Sequence, residues 1–217
     1  MLRTKFEEEL DKLHNQFYSM GTEVLSQINK TVRAFVSHDR ELAKEVIEDD
    51  EKVNVFETKL EKKSLEIIAL QQPVSQDLRT VITVLKASSD IERIGDHASS
   101  IAKATIRMKG EERIPAVEER INEMGKAVKH MVEDALNAYI VGDDKKAYEI
   151  AATDELIDTY FKDIQNYTVE QIRKTPDAVF AGKEYFQVIM YLERIGDYAR
   201  NLCEWVVYLK TGKIIEL

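Results

Sequence analysis

Two segments of this chain carry the same five residues, Glu92-Arg93-Ile94-Gly95-Asp96 and Glu193-Arg194-Ile195-Gly196-Asp197. In each, a glutamate and an aspartate stand four positions apart. On a helix that spacing puts both carboxylates on one face, with their Cβ atoms about 5–6 Å apart. Asp154 and Asp158 form another such pair, and its counterpart in the first half is Asp50 with Asn54. If the helices bearing these pairs pack against each other, four hard oxygen donors converge at each place. Such a set suits Mg, Mn, Ca or Fe cations. Without a cation the carboxylates repel. At a separation of ~4 Å a pair costs up to ~4 kcal/mol at an effective dielectric near 20, and about 1 kcal/mol when fully hydrated. Protonation or the adjacent Arg93 and Arg194 would also relieve that cost, so a structural charge network is the rival reading.

A single acid pair at this spacing means little. With 40 Asp and Glu among 217 residues, about seven such pairs arise by chance, and most are solvated helix faces. Here the pair recurs in the same context. It also encloses a glycine, Gly95 or Gly196, which costs a helix about 1 kcal/mol relative to alanine. Close approach of a neighbouring helix or a ligand would compensate. The candidate metal residues are therefore Asp50, Asn54, Glu92, Asp96, Asp154, Asp158, Glu193 and Asp197.

The elements that must position these groups come in two copies. Shifting the chain by 104 residues sets Met20-Gly21 on Met124-Gly125, Ala34-Phe35 on Ala138-Tyr139 and Asp50-Glu51 on Asp154-Glu155. Farther on the shift becomes 101, which superposes the two five-residue segments. Such an identity at a chosen register has a chance probability on the order of one in a million. Residues 1–109 form the first repeat and residues 110–217 the second.

Each copy reads as three helices. Leu10, Leu13, Phe17, Met20, Val24 and Ile28 recur at helical spacing and end near Ser37-His38. Asp39 is placed to cap a second helix, with Val46, Val53 and Leu60 on its apolar side. Pro73 breaks that helix, and Ser75 is expected to cap a third that runs from about Asp77 to Met108. Gly110 marks the link between copies. Gly142-Asp143 and Thr175-Pro176 mark the corresponding breaks in the second copy. Short connections between long helices imply antiparallel neighbours. The expected fold is all-α, two tandem three-helix bundles built from six long helices and packed side by side.

Other classes of function find no support. The formal net charge of −9 disfavours direct contact with nucleic acid, whose phosphates would repel the chain. Three glutamates, Glu7 to Glu9, fall where a signal peptide needs apolar residues, and no uncharged apolar run approaches the ~18 residues of a membrane span. The single Cys203 cannot form an internal disulfide. These features predict a cytoplasmic protein without membrane insertion. His14, His38, His97 and His130 form no constellation, and no Glu-x-x-His motif of a di-iron bundle is present. There is no phosphate-binding glycine loop. Cys203 and Trp205 read as core or interface residues.

The motifs nevertheless resemble a family. The segment QQPVSQDLR at 71–79, followed by SSDIERIGDHASSIAKA at 88–104, is similar to the first repeat of PhoU proteins. The segment YLERIGDYARNLCEWVVYLKTG at 191–212 is similar to their last helix, and the resemblance spans nearly the whole chain. It implies metal clusters of iron, zinc, manganese or magnesium at the four acidic pairs. Asn54 departs from the acidic pattern and counts against full occupancy of the first repeat. It also implies a non-enzymatic, homodimeric regulator of phosphate uptake. Such a protein restrains phosphate-starvation signalling between a phosphate ABC transporter and a phosphate-sensing histidine kinase. A carboxylate-bridged metal enzyme, or an accessory of another phosphate transporter, are the alternatives.

Overall fold

A computed structural model describes residues 2–217, with side chains from residue 5 onward. The first repeat consists of α1 (Leu2–Ser37), α2 (Arg40–Gln71) and α3 (Ser75–Arg107). The second consists of α4 (Pro115–Val141), α5 (Asp144–Ala151), α6 (Asp154–Lys174) and α7 (Val179–Thr211), with a short 3-10 turn at Pro176–Ala178. Among the described residues there are no strands.

The helices start and stop for identifiable reasons. On α1, Leu13, Phe17, Met20, Val24 and Ile28 are fully buried, as their spacing requires. His38 turns the chain through a positive φ of 59°, and Asp39 Oδ1 then accepts from the Glu41 and Leu42 amides. Ser75 does not cap α3 as expected. It adopts a φ of 49°, and the cap position passes to Val74, whose side chain has nothing to offer. Gly110, at φ 78°, reverses the chain after α3, and Pro115 opens α4, where its missing N–H costs nothing.

The second helix of the second repeat is interrupted, where one long helix is expected. Thr153 Oγ1 donates to the Ile150 carbonyl at 2.6 Å, and the Thr153 amide donates to the same oxygen at 2.9 Å. These bonds tighten the turn at Ala152-Thr153 and end α5. Asp154 thus stands at the first turn of α6, where the exposed amide dipoles favour a carboxylate.

The two third helices lie at the centre. α3 packs on α1, α2 and α7, while α7 packs on α3, α4, α5 and α6. One apolar core runs through both repeats without a gap. Polar contacts stitch the α3–α7 seam. The His97 ring stacks on Tyr191 at 5.5 Å, Trp205 Nε1 donates to Asp90 Oδ2 at 2.7 Å, and Arg107 Nη2 donates to the fully buried Glu184 at 2.6 Å. The side-by-side packing of two bundles is therefore a shared core with a polar rim.

Candidate functional site

In the first repeat, α2 packs along α3, so Asp50 lies beside Glu92 and Asp96, with Asn54 one turn further along α2. Gly95 permits this approach. A Cβ there would sit 3.1 Å from Gln27 Oε1, 3.4 Å from Val53 Cγ1 and 3.5 Å from Asp50 Oδ1. Burial raises the pKa of Glu92 to about 7, assisted by the charges of Asp96 and Glu57. Burial likewise raises that of Asp50, with Asp96 next in influence. Arg93 answers only from outside. Its Nη1 lies 3.1 Å from Asp96 Oδ2 and its Nε 3.6 Å from Glu92, but its side chain is 56% exposed, so water screens both contacts.

This face keeps several polar atoms that are buried and without a hydrogen-bond partner: Asp50 Oδ1, Asn54 Oδ1, Ser99 Oγ and both amide atoms of Gln27. Ser99 lies close enough to Asp50 for its hydroxyl to oppose the rise in the carboxyl's pKa, although neither Ser99 Oγ nor Asp50 Oδ1 makes a well-formed hydrogen bond. Orphans of this kind are rare, and each costs about 1–3 kcal/mol unless something satisfies it.

In the second repeat, Asp154 on α6 faces Glu193 and Asp197 on α7, with Asp158 exposed one turn further along. Gly196 again permits the approach, with its Cβ position 3.1 Å from Asp154 Oδ1 and 3.2 Å from Ile157 Cγ2. Here an arginine enters the cluster. Arg200 Nη1 donates to Asp154 Oδ2 at 2.5 Å and Nη2 to Asp197 Oδ1 at 3.3 Å. Arg194, like Arg93, pairs outward, 3.1 Å from Asp197 Oδ2. Burial raises the pKa of Asp154, and the Arg200 charge opposes it. Glu193 is raised by burial and then by Asp197.

The structure thus gathers the eight expected residues into two faces, one per repeat. Among the described residues, no three His, Cys, Asp or Glu side chains close into a ligating cluster. Carboxylates alone do not complete a site here. Amide and hydroxyl oxygens are present beside them in the first repeat, and an all-oxygen set of that kind fits a hard cation. Gln27, Ser99, Glu57 and Arg200 were not among the expected residues. The repeat offsets hold the signal for three of them. Gln27 falls opposite Met131 and Ser99 opposite Arg200, and Gln27 is one of two buried polar residues, with Thr31, on the largely apolar inner side of α1. Burial pushes the Cys203 thiol up to about 12, and the His97 ring is held between Tyr191 and Tyr198.

Known proteins share this arrangement. The family model described as the PhoU domain matches the chain twice, at residues 17–105 and 121–206. The two matches begin 104 residues apart and end 101 apart, the same offsets that relate the two halves of the sequence. The phosphate-specific transport system accessory protein PhoU homolog of Clostridium acetobutylicum is 38% identical over 100% of this chain and 99% of its own length. The homolog of the same name in Streptococcus pneumoniae is 36% identical, with both chains covered in full. A crystal structure of the phosphate transport system regulatory protein PhoU from Streptococcus pneumoniae superposes with a TM-score of 0.91. It has 35% identity and covers 98% of this chain and 100% of that one. A PhoU structure from Pseudomonas aeruginosa also gives 0.91, at 33% identity, over 96% of this chain and 100% of that one. By sequence along its whole length and by fold, the chain belongs to the PhoU family.

Proposed function

We propose that this protein is a cytoplasmic, non-enzymatic regulator of phosphate uptake. In this reading it couples a phosphate ABC transporter to a phosphate-sensing histidine kinase and restrains starvation signalling when phosphate is plentiful. The observation that carries the proposal is the full-length match to relatives named as phosphate-specific transport system accessory proteins. The architecture supports it. A stiff helical slab with a continuous core offers broad faces for docking. Among the described residues no helix is long and apolar enough to cross a membrane. A membrane transporter would therefore be reached by surface docking.

Metal binding belongs to the same proposal. Asp50, Asn54, Glu92 and Asp96 would hold a cation in the first repeat, and Asp154, Asp158, Glu193 and Asp197 in the second. A bound cation would neutralise carboxylates that now repel and fix the spacing of α2 or α6 against the third helix. Homodimerisation would present two such slabs to the partner.

Deleting the gene in its host tests the regulatory role. In phosphate-rich medium the deletion should raise phosphate uptake and switch on phosphate-responsive transcription, and a plasmid copy should reverse both. Unchanged uptake and transcription would count decisively against it.

A further inference from the structure

We infer that the two acidic faces are unequal. The first binds a hard divalent cation with Gln27 of α1 as an additional ligand, and in the second the guanidinium of Arg200 occupies the cation's place. This rests on the metal-binding part of the proposal above and assigns its residues differently from the acid pairs alone.

Gln27 is the observation that points to a ligand. Its side chain is fully buried and neither amide atom has a partner. Its Oε1 lies 3.1 Å from the point where a Gly95 Cβ would be, and Asp50 Oδ1 lies 3.5 Å from the same point. Two unsatisfied oxygens, one neutral and one anionic, therefore face the same stretch of α3 backbone that the glycine leaves bare. Asn54 Oδ1 and Ser99 Oγ are orphaned on the same face. All four are oxygen donors of the kind that Mg2+, Mn2+ and Ca2+ accept, amide carbonyls included. Asn54 is then no defect, because an amide oxygen is an ordinary ligand for such ions. Lys103 is near enough to Asp50 to feel its charge, but it makes no ion pair within the face.

In the second repeat the carboxylate still leans on a glycine, Asp154 Oδ1 lying 3.1 Å from the Gly196 Cβ position, and Arg200 Nε is itself without a partner, but the surrounding donors are changed. Met131 stands in the place of Gln27, with no donor oxygen to offer. Arg200 stands in the place of Ser99 and spans Asp154 and Asp197, the groups a cation would bridge. Asp154 has no orphaned atom. A fixed positive charge already fills the role.

Titration of the chelator-treated full-length chain with Mn2+, followed by the electron-spin signal of the free ion, separates the possibilities. The parent should take up about one tight Mn2+ per chain, as a single completed oxygen site requires. Gln27→Met, which installs the residue the second repeat already carries, should weaken it about tenfold or more. Ser99→Arg should abolish uptake, and Arg200→Ser should add a second site. Circular dichroism identifies any variant that fails to fold, and the remaining two still decide the matter. Two equal sites in the parent, unchanged affinity in Gln27→Met, or unchanged stoichiometry in a folded Arg200→Ser would overturn the inference while leaving metal binding intact. No Mn2+ uptake in parent or variants would overturn both.

Discussion

Gln27 against Met131, Ser99 against Arg200 and Asn54 against Asp158 are the differences that separate the two acidic faces. The backbone frame around them is nearly the same. A third helix carries Glu-x-x-x-Asp with a glycine inside, and a neighbouring helix leans a carboxylate onto that glycine. In the second repeat the buried Asp154 has an arginine across from it. In the first, the corresponding Asp50 has Ser99 in the arginine's place and feels Lys103 without an ion pair, and its neighbours are orphaned polar atoms. A duplicated scaffold can therefore treat the same electrostatic problem in two ways, once within the protein and once by leaving a gap for an ion.

The sharpest way to break this comparison is to remove the internal counter-charge. In metal-free protein, Arg200→Ala strands the buried Asp154 and should lower stability by roughly 2–3 kcal/mol, somewhat less than a fully buried pair because Arg200 is one-third exposed. Ser99→Ala should change it by less than about 0.5 kcal/mol, since Ser99 Oγ makes no well-formed hydrogen bond. Urea unfolding of both variants would settle this. Equal costs would remove the distinction. Next in size, Gln27→Met should stabilise the metal-free chain by about 1 kcal/mol by deleting unsatisfied amide atoms, and Met131→Gln should cost about as much. If Gln27→Met is destabilising without metal, the amide has a partner that the structure does not show.

The pH dependence is a smaller effect. Glu92 is raised from 4.5 to about 7 in the fold, so between those values the native state holds more protons than the unfolded chain. Stability of the chelator-treated protein should therefore fall as pH rises from about 4.5 to about 7. Glu92→Gln should flatten that decline more than Glu193→Gln does. Melting temperatures measured across this range, with identical slopes for parent and Glu92→Gln, would refute it. The smallest effects come at the glycines. Gly95→Ala gains helix propensity and presses only on the loose tail of Gln27, so it should be close to neutral. Gly196→Ala presses on Ile157 and on Asp154, which Arg200 holds, and should cost up to about 1 kcal/mol. Thermal unfolding of the pair reads the contrast, and a costlier Gly95→Ala would reverse it.

Much of this was legible in the sequence because it is periodic. The apolar spacing on α1, the cap at Asp39 and the breaks at Pro73 and Pro176 follow from local chemistry, and the duplication doubles each signal. The acid pairs were legible for the same reason. The interruption at Ala152-Thr153 was not, since no glycine or proline marks it. A threonine hydroxyl competing for the Ile150 carbonyl is a matter of local geometry. Ser75 shows the converse, a good capping residue displaced by the way the chain emerges from Pro73. Gln27 was missed because a polar residue in an apolar stripe is read as tolerated until a structure shows what it faces. Arg200 stands three residues from Asp197, the spacing of an ordinary surface ion pair, and only the packing of α6 against α7 brings Asp154 to it.

The placement of α3 and α7 side by side also bears on how the chain is made. α3 is complete at Arg107, but the helix that covers its open flank ends only at Thr211, 104 residues later. At about 5–20 residues per second, the ribosome leaves that apolar flank bare for roughly 5–20 s. During that interval a second nascent copy can offer the same surface. Early exchange between chains, or engagement by a chaperone, is thus a built-in hazard of a core that closes last.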